Sequence, residues 1–510
     1  MTLHQLDPAK TTIVAGCPGA GKTTRLLSMI DDRLRAGVAP NRIGFFTFTR
    51  GAQREAVTRA MDKFGLDEDA LPYFQTIHSL GFRQMGLKSS QVLGRAHLDA
   101  LATYLNVGLS GVQAIEGGTE SSRLGDRLMH HENLARVRGV PLRQHYEESH
   151  EDFSYADLER FAEGLRRFKA DNDLLDFTDM LSLFVEAGEA PTIDCLFVDE
   201  AQDLSHLQWS AVAKCACEAS EVIVAGDDDQ AIFEWAGADV ATFVDLGGAV
   251  EKLEQSWRVP PEVQHFAAQI VDRIRHRRDK RWSARDAVGA VYYHLDFDSV
   301  IDHAESSLAQ GEWLVLARNK QFLRRAETIL RSAGLPYTVH GIPSVPHLPA
   351  IRAWENLRKG RTVSRDEILS CYDAMSRNVG YRHGAKTLIR SQDDDWSATI
   401  DELRDEFKLL TDAVWYEALD RIPLDDRGYV RACLARNEDL SAIRIRLSTI
   451  HAAKGGEADN VVLMLDQSYL THRASRANPD AECRVFYVGA TRSRKTLHVI
   501  QPRRGRGFEI

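Results

Sequence analysis

A complete phosphate-binding loop near the N-terminus constrains this 510-residue chain more than any other feature. Residues 16–23 read G-C-P-G-A-G-K-T, between the strand-like residues 11–15 and a helical pattern over 24–34. That context is the one such a loop needs, and it predicts a bound nucleoside triphosphate. Lys22 is expected to bridge the β- and γ-phosphates. The residues expected to contact the nucleotide are Gly16, Cys17, Pro18, Gly19, Ala20, Gly21, Lys22, Thr23 and Thr24.

An acidic string, D-E-A-Q-D over 199–203, directly follows the apolar run 195–198. The run reads as a buried parallel strand, and open α/β sheets bind their ligands at the carboxyl ends of such strands. Asp199 is therefore expected to hold Mg²⁺ together with the Thr23 hydroxyl. Glu200 is expected to orient or deprotonate the attacking water.

Composition and length bound the remaining possibilities. A chain this long is expected to form several domains, and 44% hydrophobic with 27% charged residues is typical of globular proteins. No run approaches the ~20 apolar residues of a membrane span, so we expect a cytoplasmic protein. Seven scattered cysteines predict reduced, mostly buried thiols. A net charge of −10 argues against a uniformly basic nucleic-acid binder but leaves room for local basic strips.

The order of apolar runs predicts an α/β protein with two β/α regions, each interrupted by a mainly helical insertion. The predicted first region occupies 1–85 and 189–251, with its insertion at 86–188. The predicted second region occupies 252–346 and 441–510, with a short insertion at 347–440. A basic tail over 503–506 is expected to be disordered.

Four further strings occur in a fixed order along the chain. They are G-D-D-D-Q-A-I-F-E-W over 226–235, Q-S-W-R over 255–258, T-I-H-A-A-K-G-G-E over 449–457 and F-Y-V-G-A-T-R over 486–492. Together with residues 47–52 and 76–79, they resemble the motifs of the UvrD/Rep-like branch of superfamily 1 helicases. The resemblance runs from about Thr11 to Ile500, and the compact size would suit a phage-type member.

The resemblance implies two RecA-like P-loop NTPase lobes with parallel sheets, ATP and Mg²⁺ in the cleft between them, and single-stranded DNA across their tops. By similarity, Gln230 senses the γ-phosphate, while Arg258 and Arg492 are arginine fingers. Trp257 stands where the family usually stacks a tyrosine on adenine, and indole can supply that stack. Glu457 resembles the residue that meets the ribose.

Single-strand binding needs aromatic platforms and a groove that follows the phosphates. The platforms expected from the resemblance are Phe48, Phe233 and Trp235. The residues expected near DNA phosphates are Thr49, Arg50, Thr76, His78, Thr449 and His451. A basic strip could touch the DNA backbone, but a solvated helix face is the favoured interpretation. The strip comprises Arg273, Arg275, Arg277, Arg278, Lys280 and Arg281.

These features predict an ATP-dependent DNA translocase and helicase that moves 3′ to 5′. The resemblance implies single-stranded DNA and duplex junctions as ligands, and repair, replication or recombination proteins as partners; we expect a monomer when free and no membrane contact. One alternative is a translocase that strips proteins from single strands, because Ala236 replaces a usual arginine and the second insertion is short. The other is a non-helicase P-loop ATPase, such as a nucleotide kinase or a regulatory module.

Overall fold

The computed structural model describes residues 6–110, 123–149, 151–304, 310–503 and 505–510. The chain divides into two compact units. Unit 1 comprises Met1–Tyr293 and Ala453–Ile510, and unit 2 comprises His294–Ala452. The α/β fold class with parallel sheets is confirmed, while the finer six-segment division stays a prediction.

Unit 1 begins with alternating strands and helices. Apolar residues fill the first strand, which is buried along almost its whole length because helices cover both faces of a parallel sheet. The elements are β1 (Thr11–Gly16), α1 (Lys22–Arg35), β2 (Ile43–Thr47), α2 (Arg50–Phe64), β3 (Phe74–Thr76) and α3 (Ile77–Gln84).

A group of helices interrupts this alternation. Apolar side chains at helical spacing, including Leu101, Leu158, Phe161 and Leu165, pack into a core of their own. The helices are α4 (Leu98–Leu105), α5 (Leu124–Val137), α6 (Leu142–Ser149), α7 (Tyr155–Asp171) and α8 (Phe177–Ala187).

The β/α alternation then resumes and completes the first sheet with β4 (Cys195–Val198), α9 (His206–Ala216), β5 (Glu221–Gly226), α10 (Val240–Val244) and β6 (Ala249–Leu253). The helix α11 (Pro261–Val271) and the strand β7 (Ala290–His294) follow, and β7 is not part of this sheet. The six strands lie in the order β3-β2-β4-β5-β1-β6, and all five pairings are parallel. The chain therefore leaves β1, β2, β4 and β5 at one edge, where the phosphate loop, Thr49, Asp199 and Asp227 follow.

The last segment of unit 1 contains β14 (Ala458–Met464), α20 (Tyr469–Ala477), α21 (Pro479–Ala490) and β15 (Ser493–Ile500), with β14 and β15 parallel. The expectation of a disordered basic tail is wrong for its described residues. The backbone N–H of Arg503 donates to Asp466, and Phe508 stacks on Phe486 with ring centroids 4.2 Å apart. Arg504 lies outside the described residues.

Unit 2 consists of short helices and two small groups of strands. Its helices are α12 (Phe297–Ala304), α13 (Leu323–Ser332), α14 (Leu348–Arg358), α15 (Arg365–Asp373), α16 (Ala385–Arg390), α17 (Ile400–Asp405), α18 (Trp415–Ala418) and α19 (Leu424–Ala435). Its strands are β8 (Trp313–Ala317), β9 (Tyr337–Val339), β10 (Ile342–Pro343), β11 (Val363–Ser364), β12 (Ser397–Ala398) and β13 (Ile445–Thr449). Four of them lie in the order β10-β9-β13-β8, and β11 pairs with β12.

Two predictions about the whole chain can be compared with this structure. All seven cysteines are free thiols and six of them are buried, as expected; Cys217 is exposed. Within the described residues, no helix combines the length and the apolar character that a membrane crossing requires.

Candidate functional site

The phosphate loop connects β1 to α1 in the conformation that anion binding requires. Gly19 and Gly21 have φ values of 70° and 80°, a left-handed region that glycine enters without a steric cost. The loop can therefore curl its N–H groups toward one point at the N-terminus of α1. Lys22 is buried and its ammonium donates to the carbonyl of Gly16 at 3.2 Å. The Lys22 side chain therefore folds back onto the loop and lies beside the expected position of the phosphates.

Asp199 lies beside the start of α1. The Thr23 hydroxyl donates to Asp199 Oδ2 at 2.7 Å. Burial raises the pKa of Asp199 to about 6, and the adjacent charge of Glu200 adds to the rise. One hydroxyl and one carboxylate suit Mg²⁺, which keeps several waters and binds phosphates as further ligands. The described residues contain no cluster of three or more His, Cys, Asp or Glu side chains arranged to hold a metal.

Glu200 adopts a strained backbone conformation. Its φ of 54° is left-handed, which is uncommon outside glycine and often marks a functional position. The Gln202 amide donates to Glu200 Oε2 at 2.5 Å. Burial opposes ionisation, but Lys454 and Lys22 outweigh it and lower the pKa of Glu200. The carboxylate is therefore charged and held in place, as a group that accepts a proton from water must be.

Arg492 lies between the end of α21 and the start of β15, and its guanidinium reaches Gln230. Arg492 Nη2 donates to Gln230 Oε1 at 2.6 Å, and its other bonds go to the carbonyls of Val488 and Gly456. All three acceptors are neutral. Burial and the nearby Arg258 lower the pKa of Arg492 to about 9. An anionic phosphate would relieve this cost, so the environment fits a phosphate-binding arginine.

The string 255–258 packs directly on the phosphate loop. The Ser256 hydroxyl donates to the carbonyl of Pro18 at 2.7 Å, and the Trp257 N–H donates to the carbonyl of Gly19 at 3.0 Å. The Trp257 indole is 70% exposed and available to stack on a base. Arg258 Nε donates to Glu457 Oε2 at 2.5 Å. The predicted finger and the predicted ribose ligand are thus paired with each other.

A cavity of about 1260 Å³ opens between the first sheet and the helical insertion. Its aromatic walls include Phe48 and Phe233, whose ring centroids are 5.3 Å apart, and Trp235, 6.4 Å from Phe233. All three residues are partly exposed, and Phe48 also packs against the hydrophobic core of the first sheet. Arg50, Thr76 and His78 also line this cavity.

Helix N-termini provide anion-binding groups at this cavity. Thr49 caps α2 and Thr76 caps α3, each accepting a hydrogen bond from a backbone N–H. Both residues were predicted to lie near phosphates, and a helix N-terminus favours an anion. His78 differs, because burial lowers its pKa and keeps the ring neutral.

Comparison with known protein families matches two parts of the chain. A model of the UvrD/REP helicase N-terminal domain matches residues 3–250, and a model of the UvrD-like helicase C-terminal domain matches residues 430–504. The chain belongs to the UvrD/Rep-like superfamily 1 helicases. This UvrD/Rep-like membership agrees with the α/β structure and its parallel sheets, and the fold class is that of two RecA-like lobes.

Among curated relatives, this UvrD/Rep-like chain is 24% identical over 378 residues to the ATP-dependent DNA helicase PcrA of Staphylococcus epidermidis. It is 23% identical over 378 residues to the ATP-dependent DNA helicase PcrA of Staphylococcus aureus. Each alignment covers 67% of this chain and 51% of the relative. The chain thus spans about half the length of the curated relatives it matches.

Two predicted DNA-contacting residues of this UvrD/Rep-like protein belong to unit 2. Thr449 ends β13 and its hydroxyl accepts a hydrogen bond from the N–H of Ala452 at 3.2 Å. His451 follows it, and both side chains are buried. Their role as DNA ligands stays a prediction.

Lys454 is a site residue that the sequence interpretation did not assign. Its ammonium donates to the Gln230 carbonyl at 2.7 Å, pairs with Asp203 and lies 5.1 Å from the centre of the Phe233 ring. It is also 3.9 Å from Glu200 Oε2. The signal was present, because Lys454 stands inside the string 449–457.

The basic strip after α11 differs from the favoured interpretation of a solvated helix face. Residues 272–283 form an irregular loop, not a helix. Arg277 and Lys280 point into unit 1 and pair with the acidic residues 227–229, while Arg273 packs on Phe508. A run of cations therefore neutralises buried carboxylates, and Arg277 and Lys280 are not placed to contact a DNA backbone.

Proposed function

We propose that this chain is an ATP-dependent DNA translocase and helicase that moves 3′ to 5′ along single-stranded DNA. One observation carries the proposal. Lys454 bonds to Gln230 and Asp203 on the nucleotide side and lies over Phe233 on the cavity side. A single cation thus touches both candidate sites, which is the physical contact that coupled hydrolysis and strand movement need.

The hydrolytic step follows from the residues around the phosphate loop. Lys22 and the loop N–H groups would hold the β- and γ-phosphates, and Glu200 would orient the attacking water and accept its proton. Thr23 and Asp199 would hold Mg²⁺, which supplies positive charge to the phosphate oxygens. Arg492 would stabilise the charge that develops on the γ-phosphate, since its present acceptors are neutral.

The cavity provides a binding surface without sequence preference. Bases stack on any aromatic face, and each stack is worth ~1–3 kcal/mol. Phe48, Phe233 and Trp235 form a continuous series of rings along the cavity. The helices α2 and α3 direct their N-termini, through Thr49 and Thr76, to positions that suit the strand's phosphates.

The polarity is inferred from the family, whose relatives here carry the name ATP-dependent DNA helicase PcrA. The experiment is displacement of a short duplex bearing either a 3′ or a 5′ single-stranded tail, with ATP and Mg²⁺. We expect opening of the 3′-tailed substrate, and none with the Lys22→Ala variant. Preferential opening of the 5′-tailed substrate would reverse the assigned polarity. A wild-type chain without DNA-stimulated ATP hydrolysis would sink the whole proposal.

A protein-stripping translocase is the second candidate, and one observation favours it. Ala236 is exposed at the cavity wall and has no side chain that could contact a phosphate. If tailed duplexes stay closed while streptavidin is displaced from biotinylated single strands, the stripping activity is the correct one.

A further inference from the structure

The loop after α11 contributes one lysine to the interior of unit 1. The Lys280 side chain is 7% exposed, and the three carboxylates around it are 1–2% exposed. Its ammonium lies 2.6 Å from Asp227 Oδ1 and 3.1 Å from Asp229 Oδ2, and it also pairs with Asp228. Lys280 is therefore enclosed by the string that leads into Gln230, and it cannot contact DNA.

The three carboxylates do not depend on Lys280 equally. Arg277 holds Asp229 with two bonds of 2.8 and 2.7 Å, and the N–H of Arg278 donates to Asp228 at 2.8 Å. Among the described residues, Lys280 is the one cation that bonds to Asp227. Burial opposes ionisation of Asp227, but Lys280 and Lys22 outweigh it and lower its pKa.

Asp227 in turn fixes the direction of the Gln230 amide. Gln230 Nε2 donates to Asp227 Oδ2 at 2.6 Å, and Gln230 Oε1 accepts from Arg492 at 2.6 Å. An ionised carboxylate only accepts hydrogen bonds, so it requires the NH₂ end of the amide. The oxygen end is then left for Arg492. A neutral group at Asp227 would let the amide turn and present its NH₂ to a guanidinium, which also only donates.

We propose that Lys280 is a positioning residue for hydrolysis, which keeps Asp227 a pure acceptor and thereby fixes the Gln230 amide with its oxygen toward Arg492. The inference rests on the proposed ATPase function. Lys280 does not touch the nucleotide; it acts through Asp227 and Gln230. Its loop is itself secured, because Arg484 of α21 donates to the carbonyls of Asp228 and His276.

The first test compares Lys280→Met, Lys280→Arg and the control Lys252→Met, a nearby exposed lysine whose ammonium donates to the backbone carbonyl of Asp279. We expect kcat of Lys280→Met to fall about tenfold or more while the Kd for a fluorescent ATP analogue stays within about twofold. Lys280→Arg should restore most of the rate because the charge returns. Full kcat in Lys280→Met would overturn the inference, and so would a loss confined to nucleotide affinity.

The second test separates positioning from a general loss of structure. If Lys280 acts through Gln230, the double variant Lys280→Met/Gln230→Ala should be no slower than Gln230→Ala alone. Multiplying losses would instead show an independent, structural effect. Because Lys280→Met leaves the buried Asp227 carboxylate without its bonded cation, Asp227→Asn serves as a milder variant of the same size. It should lower kcat with a Tm within about 3 °C of wild type, and an unchanged kcat would contradict the proposal.

ATP hydrolysis by the wild-type protein distinguishes a failure of this inference from a failure of the proposed function on which it rests. If the wild-type protein does not hydrolyse ATP, the proposed function itself is contradicted. If the wild-type protein hydrolyses ATP and the Lys280→Met variant is equally active, only the positioning role of Lys280 is contradicted.

Discussion

Lys22, Asp199 and Arg492 are buried in the phosphate pocket, where each bonds to a defined neighbour, whereas Phe48 and Phe233 are only partly buried in the cavity beside it. The pocket relies on directional bonds in a dry environment, in which an unpaired charge costs several kcal/mol. The aromatic rings of the cavity would bind bases by stacking, and each stack contributes a small part of the binding free energy. Substitutions in the pocket should therefore abolish ATP hydrolysis, whereas each substitution in the cavity should weaken DNA binding by a limited amount.

The largest effects are expected for Lys22→Ala and Glu200→Gln. Lys22→Ala should weaken nucleotide binding, whereas Glu200→Gln should keep ATP bound and lower kcat by roughly 10²–10⁴-fold, because only the proton acceptor is lost. Nucleotide binding by fluorescence and steady-state phosphate release separate the two. Near-normal turnover by Glu200→Gln would show that the assigned base is wrong.

Arg492→Ala should come next, with a loss of kcat on the order of 10³-fold, since an arginine that stabilises the transferring phosphate is worth that much. Arg35→Ala is a matched control, because Arg35 lies on the exposed end of α1 and pairs with Asp31 of the same helix. The measurement is DNA-stimulated ATP hydrolysis of the purified variants. Equal losses in both variants would mean that the assay reports protein quality and not phosphate contact.

Trp235→Ala tests the cavity side of the comparison. Single-strand affinity should fall by ~1–3 kcal/mol, while hydrolysis without DNA stays near wild type, because the stack forms only with DNA present. Tyr104→Ala offers a control in which another half-exposed aromatic ring is removed away from the cavity. Fluorescence anisotropy of a labelled oligonucleotide gives the affinity. A loss of cooperative melting in Trp235→Ala would identify the residue as structural.

The smallest effect is expected when the pH is lowered, and it concerns the stability of the helical insertion that forms the cavity wall. Burial lowers the pKa of His130 and His145, on α5 and α6, to about 4, with the charge of His131 contributing. These rings are neutral in the folded state and take up protons on unfolding, so their contribution is lost as pH falls from ~6.5 toward 4. At pH 5 the loss is on the order of 1 kcal/mol for each ring.

Hydrogen-exchange protection factors at pH 7 and pH 5 test this difference between regions. We expect α5 and α6 to lose protection at pH 5 while the strands β1, β4 and β5 keep theirs. The variant His130→Asn/His145→Asn should remove the difference between the two pH values. Equal protection of the insertion at both pH values in wild type would contradict the expectation.

Local patterns in the sequence predicted the strands well. The strand-like runs 11–15 and 195–198 form β1 and β4 with nearly the expected bounds, because a short apolar run flanked by polar residues leaves little choice of ends. The helical pattern over 24–34 is shorter than α1, which begins at Lys22 and ends at Arg35. Ends of helices depend on capping contacts that periodicity does not report.

The site was predictable where two strings follow strands that end at the same edge of the sheet. Thr23 and Asp199 approach each other because two parallel strands end at one sheet edge, which the motifs imply. The pairing of Lys280 with residues 227–229 was not predictable, because a run of cations does not reveal its partners and Lys280 lies in an irregular loop whose path no strand end determines. Such contacts depend on tertiary packing, which no local pattern encodes.

The position of Lys454 between two groups affects the free energies of nucleotide binding and of strand binding together. Its ammonium lies 3.9 Å from Glu200 and 5.1 Å from the centre of the Phe233 ring, so a change in its position alters the free energy of both groups. Linkage is reciprocal: whatever factor a bound strand applies to nucleotide affinity through this cation, bound nucleotide must apply to strand affinity. In the proposed function, part of the coupling between strand binding and nucleotide binding therefore passes through this ammonium group, and Lys454→Met should reduce both factors equally.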